Sequence, residues 1–255
     1  MVPKIGIVFR SYAKTPELVP EVVERAITSI KKAKSITFFN EPCFETVYII
    51  VPADYDCGLT ALAIEERLEK ENISRGVYIE ETKGHHSCYA LNDALWYVRN
   101  HGMRYALIIS HKAIAYLTKE TMWKVIYALS QGFRVVGVRI KELNDVQESP
   151  IQNTFAVWDI KEMEKFSAGE YYRGFVTLFE TELGVEEVAP LIRLQKLYGK
   201  CAAVINAEGS LNIRESEDGK ARHKEVRDTK RALQEQEAAR LGVTLDFVKE
   251  NIVEL

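Results

Sequence analysis

The chain has 255 residues, 47% of them apolar, enough to bury roughly three quarters of its unfolded surface around a full core. Its 34 basic and 37 acidic residues leave a net charge of −3, which argues against the broad positive field behind non-specific binding to nucleic acid or anionic membrane. No apolar run approaches the ~20 residues that span a bilayer.

The first element is a strand over Lys4–Phe9. Met1 leads straight into it, without the apolar core and small-residue cleavage site of a signal peptide, so the cytoplasm is the expected location. Thr15-Pro16-Glu17 starts a helix with a capping hydroxyl, an early proline and an acid near the positive dipole end. Val19, Val22, Val23, Ala26, Ile27 and Ile30 then follow at helical spacing. Thr46–Val51 is a second strand, Leu59, Leu62, Ala63 and Leu68 mark a helix, and Val77–Glu80 is a short third strand. Leu91, Ala94, Leu95 and Val98 stripe the next helix, which ends near Gly102. Tyr105–Ile109 is the fourth strand, and a helix with Met122, Val125, Ile126 and Leu129 inward stops at Gly132 before a strand over Phe133–Ile140.

This alternation predicts an α/β fold, with a mostly parallel sheet and helices on both faces. Beyond it, Asn153–Trp158 reads as a strand, Val185–Tyr198 as an amphipathic helix and Lys200–Ile205 as another strand. After Asn206, Arg, Lys, Glu, Asp and Gln dominate residues 214–240, with Val226 and Leu233 as apolar anchors. The reading is one domain over residues 1–205 and a charged helical extension over 206–255, whose last helix sets Leu245, Val248 and Ile252 on one face. The charged helix is either a solvated surface element or an arm for a partner; a homo-oligomer through it is one partner the sequence admits. Cys43, Cys57, Cys88 and Cys201 form no C-x-x-C pair, so reduced thiols are expected.

There is no G-x-G-x-x-G after the first strand, no G-x-x-x-x-G-K-[ST] and no G-x-S-x-G. These absences count against a dinucleotide site, a P-loop and an α/β-hydrolase. Polar clusters follow the strands instead: Arg10-Ser11-Tyr12, Asp54 and Asp56, Lys83 with His85, and Ser110-His111-Lys112. Parallel strands end on one edge of a sheet, so these clusters converge there, where a small polar ligand would sit.

The order of these motifs resembles the inverting family-2-type glycosyltransferases of the GT-A fold, over roughly residues 4–205. Ile7–Tyr12 resembles that family's first strand and nucleotide-contacting turn. Tyr48–Thr60 is similar to the second strand with its acidic loop, and Gly84–Leu95 to a segment that sets an asparagine, here Asn92, on the helix before the metal-binding strand. Val185–Gly199 resembles the helix whose acid deprotonates the acceptor, which implies Glu187, with Glu186 beside it, as the base. The resemblance implies a nucleotide-sugar donor and a hydroxyl acceptor, with Arg10, Ser11, Tyr12, Asp54, Asp56, Lys83, His85, Asn92, Ser110, His111 and Lys112 at the donor. It implies Tyr171, Tyr172 and Arg173 near the acceptor, where aromatic faces suit sugar C–H surfaces.

The family's metal-binding D-x-D falls on Ser110-His111-Lys112, which has no acid. No cofactor is expected, and bound Mg or Mn has no D-x-D support. Lys112, Lys83, His111 and Arg10 are the cations that would meet a leaving diphosphate in its place; the other reading is a decayed site with Lys112 merely in solvent. Glu186 and Glu187 also have a plain reading as acids in a helix's first turn, and Tyr171–Phe175 as an ordinary loop. His85, His86, Cys88 and His111 match no known zinc-module spacing.

Overall fold

The computed structural model describes residues 3–52, 58–82, 88–140, 151, 153–166, 171–172, 175–176, 187–207, 229 and 231–255. Apolar runs long enough to be buried on both faces become the central strands: β1 (Ile5–Arg10), β4 (Phe44–Pro52) and β6 (Tyr105–Ile109). With β5 (Val77–Thr82), β7 (Val135–Arg139), β8 (Phe155–Asp159), β11 (Ala202–Asn206) and β12 (Ile252–Glu254), they form an eight-stranded sheet in the order β12-β11-β7-β8-β6-β1-β4-β5. All pairs are parallel except those of β8, which runs antiparallel between β6 and β7. The expected mostly parallel sheet is therefore present, with one reversed strand inside it.

Successive side chains on each strand point to opposite faces, and each face has its own core. Ile5, Ile7 and Phe9 of β1 pack under α1 (Val19–Ser35), α2 (Leu59–Lys70) and α4 (Lys119–Ser130). Val8, Tyr48 and Ile108 pack on the other face under α3 (Cys88–Asn100) and the helix Val188–Tyr198. Gly6 makes the second contact possible, since a Cβ there would stand 2.9 Å from a Val98 methyl.

The helix expected from Leu59, Leu62, Ala63 and Leu68 is α2; its buried residues are Thr60, Ala61, Ile64 and Leu68, and Leu59 and Leu62 are about half exposed. Part of the C-terminal segment packs on the sheet. Residues 231–240 are helical, Ala238 and Val248 enter the second core, and β12 pairs with β11. Ile252, expected on the last helix, stands in that edge strand, because the helix Leu245–Glu250 ends before it. Val226 lies outside the described residues.

At the edge opposite the strand-end clusters, Asp159 is fully buried and caps the short helix Ile160–Met163. Its Oδ2 accepts from Arg104 at 2.7 Å and faces Arg134 at 3.4 Å, so the buried charge has two partners. Cys43, Cys88 and Cys201 are buried, and Cys57 is outside the described residues. Burial pushes the Cys43 thiol up to about 12 and the Cys201 thiol to about 11, which fits inert thiols. Among the described residues, no helix is long and apolar enough to cross a membrane.

Candidate functional site

β1, β4, β5, β6, β7 and β11 all end on one edge, and β8 begins there. The residues that follow β1 and β6 therefore lie side by side, because those strands pair from Ile5↔Tyr105 to Phe9↔Ile109. The β1–β4 ladder runs one step further: the Ser11 amide donates to the Ile50 carbonyl at 2.9 Å. The Ser110 amide donates to the Thr154 carbonyl at 3.0 Å, which pins the end of β6 to the start of β8.

His111 ties this edge together. Its Nε2 lies 2.6 Å from Ser11 Oγ and its Nδ1 lies 2.7 Å from Ser29 Oγ on α1. The ring stacks on Phe9, with centroids 5.0 Å apart and planes within 5°. Both serines are buried, at 2% and 1% exposure. A neutral imidazole has one N–H and one lone pair, so one serine receives its proton bond and the other donates to it. Burial, with the Arg25 charge adding to it, pushes the His111 pKa down to about 4. The ring is uncharged near neutral pH. This corrects the expectation that His111 is one of the cations that meet a diphosphate.

The triplet's other members have separate parts. Ser110 Oγ accepts from the Lys112 amide at 3.3 Å and caps the turn His111–Tyr116. Lys112 is exposed, and among the described residues its ammonium has no ion-pair partner. Arg10 and Tyr12 are half-buried at the end of β1. A divalent metal does not fit this triplet: serine hydroxyls occupy both ring nitrogens of His111, the next residue is a cation, and no carboxylate is present. Among the described residues, no three His, Cys, Asp or Glu side chains gather as a metal cluster.

Two helix starts reach the same edge. α3 connects β5 back to β6, so its first turns begin where β5 ends; Asn92 and Asp93 are buried on it at 2% and 4% exposure. The helix Val188–Tyr198 turns through Gly199 (φ 62°) into β11 and runs opposite to it. Its eleven residues span about 16 Å, close to the length of the strand beside it. Glu187, its N-cap residue, is thus at the strand-end edge, and it is 4% exposed. It does not face solvent as a dipole-stabilising surface acid would.

Asp54, Asp56, Lys83, His85, Arg173 and Glu186 lie outside the described residues, as does His86. Tyr171 and Tyr172 form the short strand β9, paired antiparallel with β10 (Phe175–Val176). Three residues at or beside this edge were not singled out in the sequence: Ser29, Asp93 and Asn153. Asn153 Oδ1 accepts from Trp158 Nε1 at 2.9 Å, and its buried Nδ2 has no hydrogen-bond partner among the described residues. Ser29 carried one signal, a hydroxyl in the apolar stripe of α1 between Ile27 and Ile30.

No protein-family model matches the chain, and no curated protein sequence is significantly similar to it. Solved structures share its fold at low identity. The mannosyltransferase PcManGT from Pyrobaculum calidifontis, in complex with GDP-Man and Mn2+, superposes with a TM-score of 0.60 at 15% identity. That match covers 92% of this chain and 65% of the mannosyltransferase, so the chain spans just under two thirds of its length. The 4-diphosphocytidyl-2C-methyl-D-erythritol synthase from Anaerococcus prevotii DSM 20548 gives 0.52 at 11% identity, covering 88% of this chain and 95% of that one. Both likenesses are likenesses of fold, a mostly parallel α/β sheet with helices on both faces.

Proposed function

We propose that the chain is a glycosyltransferase that moves a sugar from a nucleotide-sugar donor to a hydroxyl acceptor. The observation that carries this reading is Glu187: a buried carboxylate at a helix start, on the edge where Ser11 and Ser110 stand. An inverting transfer needs a base that reaches the acceptor hydroxyl from the side opposite the leaving group. The donor diphosphate lies across the ends of β1 and β6, with Arg10, Ser11, Tyr12, Ser110 and Lys112 beside it and Asn92 on the facing helix. Lys112, exposed and without an ion pair among the described residues, supplies charge to the leaving diphosphate. His111 contributes as a neutral brace. Asp54, Asp56, Lys83 and His85 complete the donor side, and Tyr171, Tyr172 and Arg173 the acceptor side. No metal is assigned to the Ser110–Lys112 position, and the cytoplasm remains the proposed location.

A second reading is a non-catalytic relative that binds the same ligands. The neutrality of His111 favours it, because one of the expected cations contributes no charge.

The test is a thermal-shift panel of nucleosides, nucleoside diphosphates and sugar nucleotides in the presence of a chelator. A ligand at a hundred times its Kd adds about 2.7 kcal/mol, which raises Tm by roughly 5–10 °C for a chain of this size. Lys112→Ala should weaken diphosphates at least tenfold and leave nucleosides unchanged, since the lost contact is charge-assisted. Absence of any nucleotide-dependent shift would overturn both readings. Binding without release of nucleoside diphosphate, across a broad acceptor set, would leave the second.

A further inference from the structure

A separate surface lies on the α1/α4 face of the sheet. Between α1 and β4, Thr37–Phe38 (β2) and Glu41–Pro42 (β3) form a hairpin. Its turn residues, Phe39 and Asn40, have φ of 52° and 66°. Asparagine is at home in that left-handed region, whereas a bulky aromatic is rare there. The turn holds the Phe39 side chain out in solvent, 80% exposed. Beside it on α4 stand Trp123 and Tyr127, 51% and 58% exposed and one helical turn apart on a shared face. The Phe39 and Trp123 rings meet edge-on at 6.5 Å, and Phe38 lies 5.8 Å from Trp123. Phe38, Phe39 and Trp123, with Lys119 and Glu120, line a shallow hollow of about 520 Å³.

We propose that this surface is the interface of a symmetric dimer of this chain. A two-fold interface requires a surface complementary to itself, in which each contact occurs twice. Here a projecting ring stands next to an aromatic hollow, so a two-fold axis beside Phe39 seats each Phe39 against Trp123 of the other copy. The charges obey the same rule. Lys119 and Glu120 are neighbours of opposite sign, and across the axis each Lys119 meets Glu120 of the other copy. Among the described residues, Glu120 has one ion pair, an exposed one with Lys124 at 3.4 Å, and Lys119 has none. The exposed parts of three aromatic side chains amount to roughly 400 Å² of apolar surface per copy. Two copies then bury an apolar centre of about 800 Å², which a polar rim brings into the range of stable interfaces. A sugar or another polar ligand fits less well, because the lining offers one ammonium and one carboxylate beside three rings.

The test is sedimentation velocity on the full chain, from low to high micromolar concentration. The wild type should self-associate into a dimer. Phe39→Asn suits the left-handed turn, so it should keep the circular dichroism spectrum and weaken association at least tenfold. Lys119→Glu and Glu120→Lys should each weaken it as well. Mixing these two single variants should restore a heterodimer, and the double variant should recover self-association. A wild type that stays monomeric throughout would overturn the proposal. So would a Phe39→Asn protein that dimerises normally, or charge-reversed variants that fail to recover on mixing.

Discussion

The surroundings of His111 predict a specific acid sensitivity. The ring is neutral in the fold, with its pKa pushed down to about 4 from the ordinary 6.5 by burial and the Arg25 charge. Below pH 6.5 the unfolded chain takes up a proton that the folded chain refuses, so stability falls with pH across that window. The contribution is complete above the unfolded pKa, declines by about 1 kcal/mol per unit below it, and levels off near the folded pKa. By pH 4.5 the loss reaches roughly 2–3 kcal/mol. His111→Gln isolates this effect. The amide donates and accepts, so it can satisfy both serine hydroxyls, but it does not titrate. Urea unfolding of both proteins at intervals from pH 7.5 to 4.5 gives the comparison, in which carboxylates common to both cancel. The wild type should be the more stable at pH 7.5, and its advantage should shrink by about 2 kcal/mol or more by pH 4.5. Parallel curves across the range, or an imidazole resonance that titrates near 6.5, would refute the neutral ring.

Gly6→Ala places a methyl group 2.9 Å from Val98 on a stiff β-branched side chain, and the overpacking should cost about 1–3 kcal/mol in the same unfolding assay. Asp159→Asn removes the charge that faces Arg104 and Arg134; because both guanidinium groups are partly exposed, the expected loss is about 2–4 kcal/mol, below the full cost of breaking a buried pair. Glu187→Gln, under the proposed transfer, should leave donor affinity within about twofold and cut turnover by on the order of a hundredfold. Glu186→Gln is the matched control, and a comparable loss there would move the base role to the neighbour.

Much of this architecture is legible as pattern, and what escapes has a common cause. Strands β1, β4, β6 and β7 are apolar runs, and α1, α3 and α4 carry stripes at helical spacing; both signals are local in sequence. Pairing is not local. Asn153–Trp158 reads as a strand, yet nothing in it says that β8 inserts antiparallel between β6 and β7. Ile252–Glu254 is too short to show a period of two, so Ile252 reads as the last turn of a helix until β11 supplies its partner. The Phe38–Glu41 hairpin lacks the glycine that marks such turns, because Phe39 adopts a backbone that its side chain disfavours. At the site, the strand-end clusters are visible in the sequence, but the bonding of His111 depends on Ser29, 82 residues away. A histidine beside a lysine reads as charge; only the folded surroundings, burial first and the Arg25 charge second, push its pKa down.

That neutrality divides the work within Ser110-His111-Lys112. A ligand site on strand ends needs its loops held in one geometry before the ligand arrives. His111 does this with two directed bonds and a ring stacked on Phe9, and it joins the ends of β1 and β6 to α1 without adding charge to the core. Ser110 fixes the turn by accepting from the Lys112 amide. The lysine one residue on is thereby set at the rim, exposed to solvent. Under the proposed transfer, this backbone position serves an anionic donor by separating the brace from the charge: the imidazole holds the edge together, and the exposed Lys112 meets the diphosphate.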